Sequence, residues 1–196
     1  MSKRKDNGKY HRIIAAATRV FAKNGFYHSK ISEIAKEAQV ADGTIYIYFE
    51  NKDDILICLF EEQMKAVLEN MNHQLEGMDD PSEKLKTFAL THLELIEHNK
   101  DMAEIIQVEL RQSGKFMKEY KNEGFLRYLD IIGNIITEGQ QKGIFKAQVL
   151  PGVAKRAFFG ALDEVSRFWV LSSRREYDIR VVAEQISDCF LAGIRN

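Results

Sequence analysis

Proline and cysteine are scarce in this chain, and long apolar runs are missing from it. With two prolines among 196 residues, most of the sequence is free to form helices. Cys58 and Cys189 lie far apart without a partner motif, so we expect free thiols in a reducing cytoplasm rather than a disulfide framework. No run approaches the roughly 18 apolar residues that a membrane span needs. No apolar segment follows the basic N-terminus, so secretion is not expected either.

The sequence signatures of enzymes that use helical bundles are also missing. None of the five histidines has a glutamate three positions before it, as a di-metal carboxylate bundle requires. Neither cysteine has a histidine base nearby, and no glycine-rich phosphate loop occurs. We therefore expect a protein that is not an enzyme and that has neither a metal site nor a cofactor.

Positive charge is concentrated at one end of the chain. Residues 1–52 hold ten Lys and Arg against five Asp and Glu, which gives a net charge of +5, whereas the remainder has −6. A basic segment joined to an acidic one is typical of a protein in which only the basic segment meets a polyanion. Charge alone leaves chance clustering open as an alternative.

Short helices separated by a tight turn are predicted within the basic segment. An apolar stripe at helical spacing predicts a first helix that ends near Gly25. Ser29 is placed to cap a second helix, with Ile34 facing inward. Residues 39–41 separate this helix from a third one over residues 42–49. Two short helices joined by so tight a turn are typical of a helix-turn-helix motif.

The third predicted helix has more apolar surface than so short a helix can bury. At about 100° per residue, Ile45 and Phe49 form a narrow inward stripe. The opposite face holds an isoleucine with small and aromatic hydroxyl-bearing neighbours: Gly43, Thr44, Tyr46, Ile47 and Tyr48. Exposed apolar patches of this kind mark interfaces, and the second helix of a helix-turn-helix enters the major groove of DNA.

Two features of that face have competing explanations. Phosphates would repel the carboxylate of Asp42, so we expect Asp42 to cap the helix through the amide of Thr44 or Ile45. For Tyr46 and Tyr48, an alternative is that one of them packs against the first or the fourth helix instead of facing DNA.

The rest of the chain reads as a series of longer helices. Residues 53–75 carry one continuous apolar stripe, and Asp80 followed by Pro81 is a strong signal for a helix start. No alternating strand pattern occurs, so the sequence predicts an all-α fold. The further helices are predicted over residues 81–98, 101–112, 115–141, 150–171 and 178–194.

Residues 9–56 resemble the DNA-binding domain of TetR-family transcriptional repressors, most clearly in the segment ISEIAKEAQVADGTIYIYFENKDDIL. One departure is Gln39, where the family usually has glycine; a left-handed residue there would cost about 1–2 kcal/mol. The resemblance implies a three-helix DNA-binding domain over residues 1–52, joined by a long helix to a ligand-binding and dimerisation domain over 53–196. It places Thr44, Tyr48 and Lys52 at phosphates. The predicted DNA-binding residues are Ser29, Lys30, Asp42, Gly43, Thr44, Tyr46, Ile47, Tyr48 and Lys52.

The resemblance also implies a homodimer, since two-fold proteins of this type read palindromic operators. In the family the last two helices form the dimer bundle, which corresponds to residues 150–171 and 178–194 here. Ala157, Gly160 and Ala161 would allow close approach of helices. The alternative is that these helices pack only within one subunit. Apolar area on them comes from Val165, Phe168, Val182, Ile186 and Phe190.

The second domain is rich in large apolar side chains that are candidates for a ligand site. Residues 125–136 are apolar on nearly all sides, which indicates a helix central to its domain and a wall of any cavity. His92 and Glu109 lie on apolar faces and are candidates to orient a ligand; an internal hydrogen bond is the alternative. Arg111 and Lys115 are candidates for a phosphate-bearing group, or form a solvated surface. The other candidates are Phe88, Ile105, Ile106, Phe125, Leu129, Ile132, Phe158, Phe159, Leu162 and Trp169.

At a finer level the chain resembles TetR-family regulators of fatty-acid degradation (FadR type) from Gram-positive bacteria. The resemblance is carried by ADGTIYIYFENKDDIL, VELRQSG, TEGQQKGIF and FGALDEVSRFWV. It implies a cytoplasmic repressor whose effector is a long-chain fatty acyl-CoA, which releases the protein from its operator. Two alternatives remain open: a repressor that responds to a drug or another hydrophobic metabolite, and a helical lipid-binding protein without DNA binding.

Overall fold

A computed structural model of the protein describes residues 7–106, 123–172 and 177–196. Within these ranges the chain is helical, and the described residues contain no strand beyond an isolated bridge between Phe145 and Arg195. The predicted all-α fold is confirmed. No helix in the described ranges has the length and apolar character to cross a membrane. The helices are α1 (Asn7–Asn24), α2 (Ile31–Glu37), α3 (Asp42–Tyr48), α4 (Lys52–Leu75), α5 (Pro81–His98), α6 (Lys100–Glu104), α7 (Glu123–Gln141), α8 (Pro151–Leu171) and α9 (Ile179–Ile194).

Helix boundaries follow the local start and stop signals closely. α5 begins at Pro81, where the carboxylate of Asp80 accepts a hydrogen bond from the amide of Ser82 at 2.9 Å. α1 ends at Asn24, and Gly25 follows with a left-handed φ of 75°. The helices predicted over 101–112 and 115–141 are present in their described parts; residues 107–122 lie outside the described residues.

The chain divides into two compact units. The first comprises Met1–Gln63 and Lys100–Lys121, and the second comprises Met64–Asn99 and Asn122–Asn196. The division falls inside α4, so this helix belongs to both units. The predicted domain boundary, between residues 52 and 53, falls after the first residue of that helix and stays a prediction.

The first unit buries one apolar stripe from each of its helices. α2 and α3 have seven residues each, which is too short for a helix to persist alone in water. Their stability therefore comes from packing against α1 and against each other. The buried side chains include Ile13, Ile14, Phe21, Ile34, Ile45, Phe49, Ile55, Leu56 and Leu59.

The core of the second unit lies between α5, α7, α8 and α9. Close packing is most restrictive at Gly139, where an added Cβ would lie 2.0 Å from Cδ2 of Phe145. Any larger residue at Gly139 would displace that buried ring. The buried side chains include Leu85, Phe88, Leu93, Ile132, Ile136, Phe158, Leu162, Leu191 and Ile194.

Candidate nucleic-acid interface and ligand site

The outward face of α3 is open. Ile45 and Phe49 point inward with 0% and 2% of their surface exposed, as the helical spacing predicts. Tyr46 and Ile47 are 60% and 61% exposed, although both are large and largely apolar. Gly43 is exposed as well, with no atom within 4 Å of the position where a Cβ would be. This helix therefore presents an exposed surface with an isoleucine at its centre, and another molecule can approach its backbone closely at Gly43.

Tyr48 is divided between this face and the core. It is half-buried, and its ring centre lies 6.3 Å from that of Tyr10 on α1. Tyr10 in turn stacks on Phe49 at 5.3 Å, and burial raises the pKa of its hydroxyl far above the usual value. The alternative in which one of the two tyrosines packs against a neighbouring helix thus applies to Tyr48, while Tyr46 faces outward.

The turn between α2 and α3 has the left-handed residue that the family pattern anticipates. Gln39 adopts a φ of 56°, and the following amide of Val40 donates to the carbonyl of Ala35 at 3.0 Å. A side chain in this conformation costs about 1–2 kcal/mol relative to the right-handed region. The departure from glycine therefore leaves the turn in place but strains it.

Ser29 does not cap α2, which corrects the prediction from the sequence. The cap residue is Lys30, whose amide donates to the side chain of Glu33 at 2.8 Å. Ser29 is buried, and its hydroxyl lies 2.6 Å from the carbonyl of Gly25 and 3.2 Å from that of Val20. The one hydroxyl proton of Ser29 is used inside the protein, and its DNA contact stays a prediction.

Asp42 does not cap α3 either. The cap position belongs to Ala41, and Asp42 is the first helical residue, with no side-chain cap bond. The helix begins one residue earlier than a capping role for Asp42 requires. Its exposed carboxylate still lies in the first turn, where the helix dipole favours negative charge.

Lys52, which the family pattern places at a phosphate, is hydrogen-bonded to the backbone of the first unit. Its ammonium donates to the carbonyls of Phe26 at 2.6 Å, Tyr27 at 3.1 Å and Ser29 at 3.0 Å. The same nitrogen lies 4.5 Å from the ring centre of Phe26. Lysine has one proton for each of these carbonyls, and the phosphate contact of Lys52 stays a prediction.

The loop before α2 adds two exposed residues, Tyr27 and His28, that were not predicted from the sequence, beside the predicted Lys30. Tyr27 is 56% exposed, and His28 and Lys30 are exposed beside it. The sequence did contain a signal for this surface. Tyr27 lies between the end of α1 and the basic Lys30, where an aromatic side chain is not expected to reach the core.

His92 is the centre of a buried polar network in the second unit. Its Nδ1 lies 3.0 Å from the hydroxyl of Tyr128, and its Nε2 lies 3.4 Å from the hydroxyl of Ser166. Ser166 donates its proton to the carbonyl of Leu162 at 2.8 Å. Ser166 must then accept from Nε2–H, which leaves Nδ1 to accept from Tyr128. The alternative of an internal hydrogen bond is therefore the observed arrangement.

Burial determines the charge of this network. It lowers the pKa of His92 from 6.5 to about 4, against the opposing effect of nearby Asp163. It also raises the pKa of Tyr128 far above the usual value. Both side chains are consequently neutral at pH 7, so the network adds hydrogen bonds without adding a buried charge.

Aromatic rings from α5, α7 and α8 surround the network. Ring centres lie 4.9 Å apart for Phe88 and Tyr128, 5.5 Å for His92 and Phe159, and 5.1 Å for Phe125 and Phe159. The structure thus brings together predicted ligand residues from three helices. Tyr128 and Ser166 were missed from the sequence, and nothing local distinguishes Ser166. The remaining predicted members of this unit are buried too: Leu129, Ile132, Phe158, Leu162 and Trp169.

Some predicted ligand residues do not join this aromatic cluster. Ile105 and Ile106 belong to the first compact unit, where Ile105 is buried and Ile106 is half-buried. Glu109, Arg111 and Lys115 lie outside the described residues. No group of three or more metal-ligating side chains occurs within the ranges that the structure describes.

α8 and α9 retain an uncovered apolar surface. Phe168 is 50% exposed, and no atom lies within 4 Å of where a Cβ on Gly160 would be. Ala157 and Ala161 are exposed as well. The other residues predicted for a dimer bundle are half-buried: Val165, Val182, Ile186 and Phe190.

Matches to family models and to a known protein cover nearly the whole chain. Residues 13–58 match the model for bacterial regulatory proteins of the tetR family, and residues 60–193 match that for the C-terminal region of YsiA-like proteins. The fatty acid metabolism regulator protein of Bacillus subtilis strain 168 is 39% identical over 188 residues, which cover 96% of each chain.

Two solved structures of FadR regulators have the same architecture. The structure of FadR from Bacillus subtilis in complex with stearoyl-CoA has a TM-score of 0.87 at 38% identity, covering 95% of this chain and 100% of the other. The fatty acid degradation regulator FadR from Bacillus halodurans has a TM-score of 0.88 at 36% identity, covering 98% of each chain. With an outward α3 face in a matched helix-turn-helix domain, the chain belongs to the TetR family of bacterial transcriptional regulators and is not an enzyme.

Proposed function

We propose that this protein represses fatty-acid degradation genes, binds a palindromic operator as a homodimer, and is released by long-chain fatty acyl-CoA. The observation that carries the proposal is 39% identity, over 96% of the chain, to a fatty acid metabolism regulator. The stearoyl-CoA complex of a related FadR supports the ligand class. A regulator of this kind works in the cytoplasm. We assign DNA binding to residues 1–52 and ligand binding with dimerisation to residues 53–196.

The exposed face of α3 supports the DNA-binding part of the proposal. Ile47 and the ring of Tyr46 suit thymine methyl groups in the major groove. Gly43 allows the backbone to approach the duplex closely. Thr44 and Tyr48 retain hydroxyls suited to phosphate oxygens, and the exposed Lys30 adds a cation.

The uncovered face of α8 and α9 supports the homodimer. Small residues at Ala157, Gly160 and Ala161 allow two helices to approach each other closely. Phe168 contributes a half-exposed ring, and an apolar surface of this kind marks an interface. A two-fold dimer presents two α3 helices, which matches two operator half-sites about 34–36 Å apart.

The aromatic cluster supports the proposal that the second unit binds the acyl tail of the ligand. Every buried CH₂ contributes about 0.8 kcal/mol, so an apolar site discriminates between chain lengths. The polar network of His92, Tyr128 and Ser166 has its hydrogen bonds satisfied internally and demands no polar group from the tail. Arg111 and Lys115 stay our predicted partners for the phosphates of CoA.

In this proposal, acyl-CoA weakens operator binding by shifting the protein towards a conformation that binds the operator less well. Acyl-CoA would favour a conformation of the second unit that displaces α4 and alters the spacing of the two α3 helices. By linkage, operator binding must weaken acyl-CoA binding by the same factor.

A titration tests the proposal. We would select a duplex from a random DNA library with the dimeric protein and measure its affinity with and without stearoyl-CoA, using octanoyl-CoA and free CoA as controls. We expect stearoyl-CoA to weaken binding and the controls to have little effect. Unchanged affinity would reject acyl-CoA as the effector, and native mass spectrometry of the purified protein would then identify another bound hydrophobic metabolite.

A further inference from the structure

The ammonium of Lys52 forms an unusually complete set of contacts at the surface of the first unit. Three backbone carbonyls, from Phe26, Tyr27 and Ser29, converge on its single nitrogen. The three acceptors belong to one loop, which leads from the end of α1 to the start of α2. Lys52 itself is the first residue of α4. One side chain therefore ties this loop to the first turn of α4 across 23 or more positions of the chain.

The loop that Lys52 holds is otherwise constrained from the α1 side. Gly25 is left-handed, and its carbonyl accepts from both the amide and the hydroxyl of Ser29, at 3.2 Å and 2.6 Å. Phe26 is buried and lies edge-on to Phe21 at 5.3 Å between ring centres. The loop is thus fixed to α1 by these contacts and is held to the first turn of α4 by the Lys52 ammonium.

This arrangement matters because the loop determines where α2 begins. α2 starts at Ile31, two residues after the last carbonyl that Lys52 contacts. α2 is joined to α3 by the strained turn at Gln39. α3 reaches α4 through residues 49–51. The helix-turn-helix is consequently attached to the first turn of α4 at both ends, by the chain on one side and by the Lys52 ammonium on the other.

We propose that Lys52 is a positioning residue that holds the α1–α2 loop against α4, and that it supports operator binding without contacting a phosphate. The proposal rests on the DNA-binding role of the family and not on the identity of the effector. If acyl-CoA did not affect operator binding, the role of Lys52 could still be tested with the same duplex. The two proposals can therefore be rejected independently.

Three variants of the full-length dimer test the proposal. Lys52→Met keeps the aliphatic stem and removes all three hydrogen bonds. Lys52→Arg keeps the positive charge, but its planar guanidinium cannot place three donors on one nitrogen. The matched control is Lys65→Met, which removes an exposed cation elsewhere on the same helix. Affinity for the selected duplex would be measured at several salt concentrations, at a temperature where circular dichroism shows each variant fully folded.

Lys52→Met and Lys52→Arg should both lose roughly tenfold in affinity, because operator binding must then supply the energy for holding the loop that the hydrogen bonds of a charged donor contribute in the wild type. The slope of log affinity against log salt should stay at its wild-type value for both, and Lys65→Met should bind as the wild type does. The result with Lys52→Arg decides the question even if Lys52→Met does not fold, because a phosphate contact tolerates arginine and the loop contact does not.

Two results would overturn the proposal. Wild-type affinity for Lys52→Arg, or a salt slope reduced by about one for Lys52→Met, would assign Lys52 to a phosphate. A lower melting temperature with wild-type affinity of the folded variant would restrict Lys52 to a role in stability.

Discussion

The two compact units use similar side chains in opposite ways. On α3 of the first unit, Tyr46 and Ile47 are 60% and 61% exposed, whereas Tyr128 and Ile132 on α7 of the second are 2% and 0% exposed. In the first unit, a short helix leaves Tyr46 and Ile47 at the surface, where they are available to a partner molecule. In the second, helices on several sides enclose the aromatic rings. Composition alone therefore does not tell a partner-binding surface from a buried cluster.

Each unit also has a polar side chain whose hydrogen bonds are formed inside the protein, although the partners differ. The hydrogen bonds of His92 are formed with side chains inside the second unit, and burial keeps the imidazole neutral. The ammonium of Lys52 in the first unit donates hydrogen bonds to three backbone carbonyls. Both groups are occupied within the protein, so a polar residue in a functional region is not for that reason a contact to a ligand.

Removing a ring from the aromatic cluster should have the largest effect on stability. Phe88→Ala should lower the free energy of unfolding by about 3–5 kcal/mol, because Phe88 is fully buried against Tyr128 and Phe158. Denaturant-induced unfolding measures the change. Leu150→Ala, at a position 67% exposed, should change it by less than about 0.5 kcal/mol. A small effect of Phe88→Ala would show that the cluster is loosely packed.

A charge on the outward face of α3 should damage binding and not folding. Ile47→Glu should weaken operator binding by roughly 100-fold, because the carboxylate would meet phosphates. Its melting temperature should be unchanged, since Ile47 is 61% exposed. The control is Ala147→Glu, which adds the same charge at an exposed loop position of the second unit. Equal affinities for the two variants would exclude this face from the DNA interface.

The pH dependence of stability should reveal the buried histidine. With a pKa of about 4 when folded and 6.5 when unfolded, His92 binds protons mainly in the unfolded state between these values. Well above pH 6.5, His92 has no effect on the free energy of unfolding. As the pH falls towards 4, proton binding by the unfolded chain lowers that free energy. The wild type should lose about 1 kcal/mol between pH 6.5 and 5.5 relative to His92→Gln. His98→Gln, at an exposed position, is the control. Parallel profiles for wild type and His92→Gln would contradict the burial of a neutral imidazole.

The smallest effect is expected at the strained turn of the first unit. Gln39→Gly should stabilise the protein by about 0.5–1 kcal/mol, because glycine removes the left-handed strain but gains entropy in the unfolded chain. Thermal unfolding measures the gain. Gln141→Gly, at an exposed position near the end of α7, should not stabilise the protein. A loss of stability in Gln39→Gly would mean that the side chain of Gln39 forms a favourable contact.

Features governed by neighbouring residues were predictable from the sequence. The inward stripe of Ile45 and Phe49 follows from the helical repeat alone. The start of α5 at Pro81 follows from the Asp80 carboxylate, two positions from the amide that it caps. The caps assigned to Ser29 and Asp42 were wrong, because each helix begins one residue away from where a single polar residue suggested.

An all-α chain, a helix-turn-helix with an outward apolar face, and the TetR resemblance could all be inferred from the sequence, because each depends on periodicity or on motifs a few residues long. Which polar groups are hydrogen-bonded inside the protein became clear from the three-dimensional packing. Lys52 finds its acceptors 23 to 26 positions away, and His92 meets Tyr128 and Ser166 at separations of 36 and 74. Hydrogen bonds act over about 3 Å in space, whatever the distance along the chain, so no local pattern could have shown which partners these side chains would find.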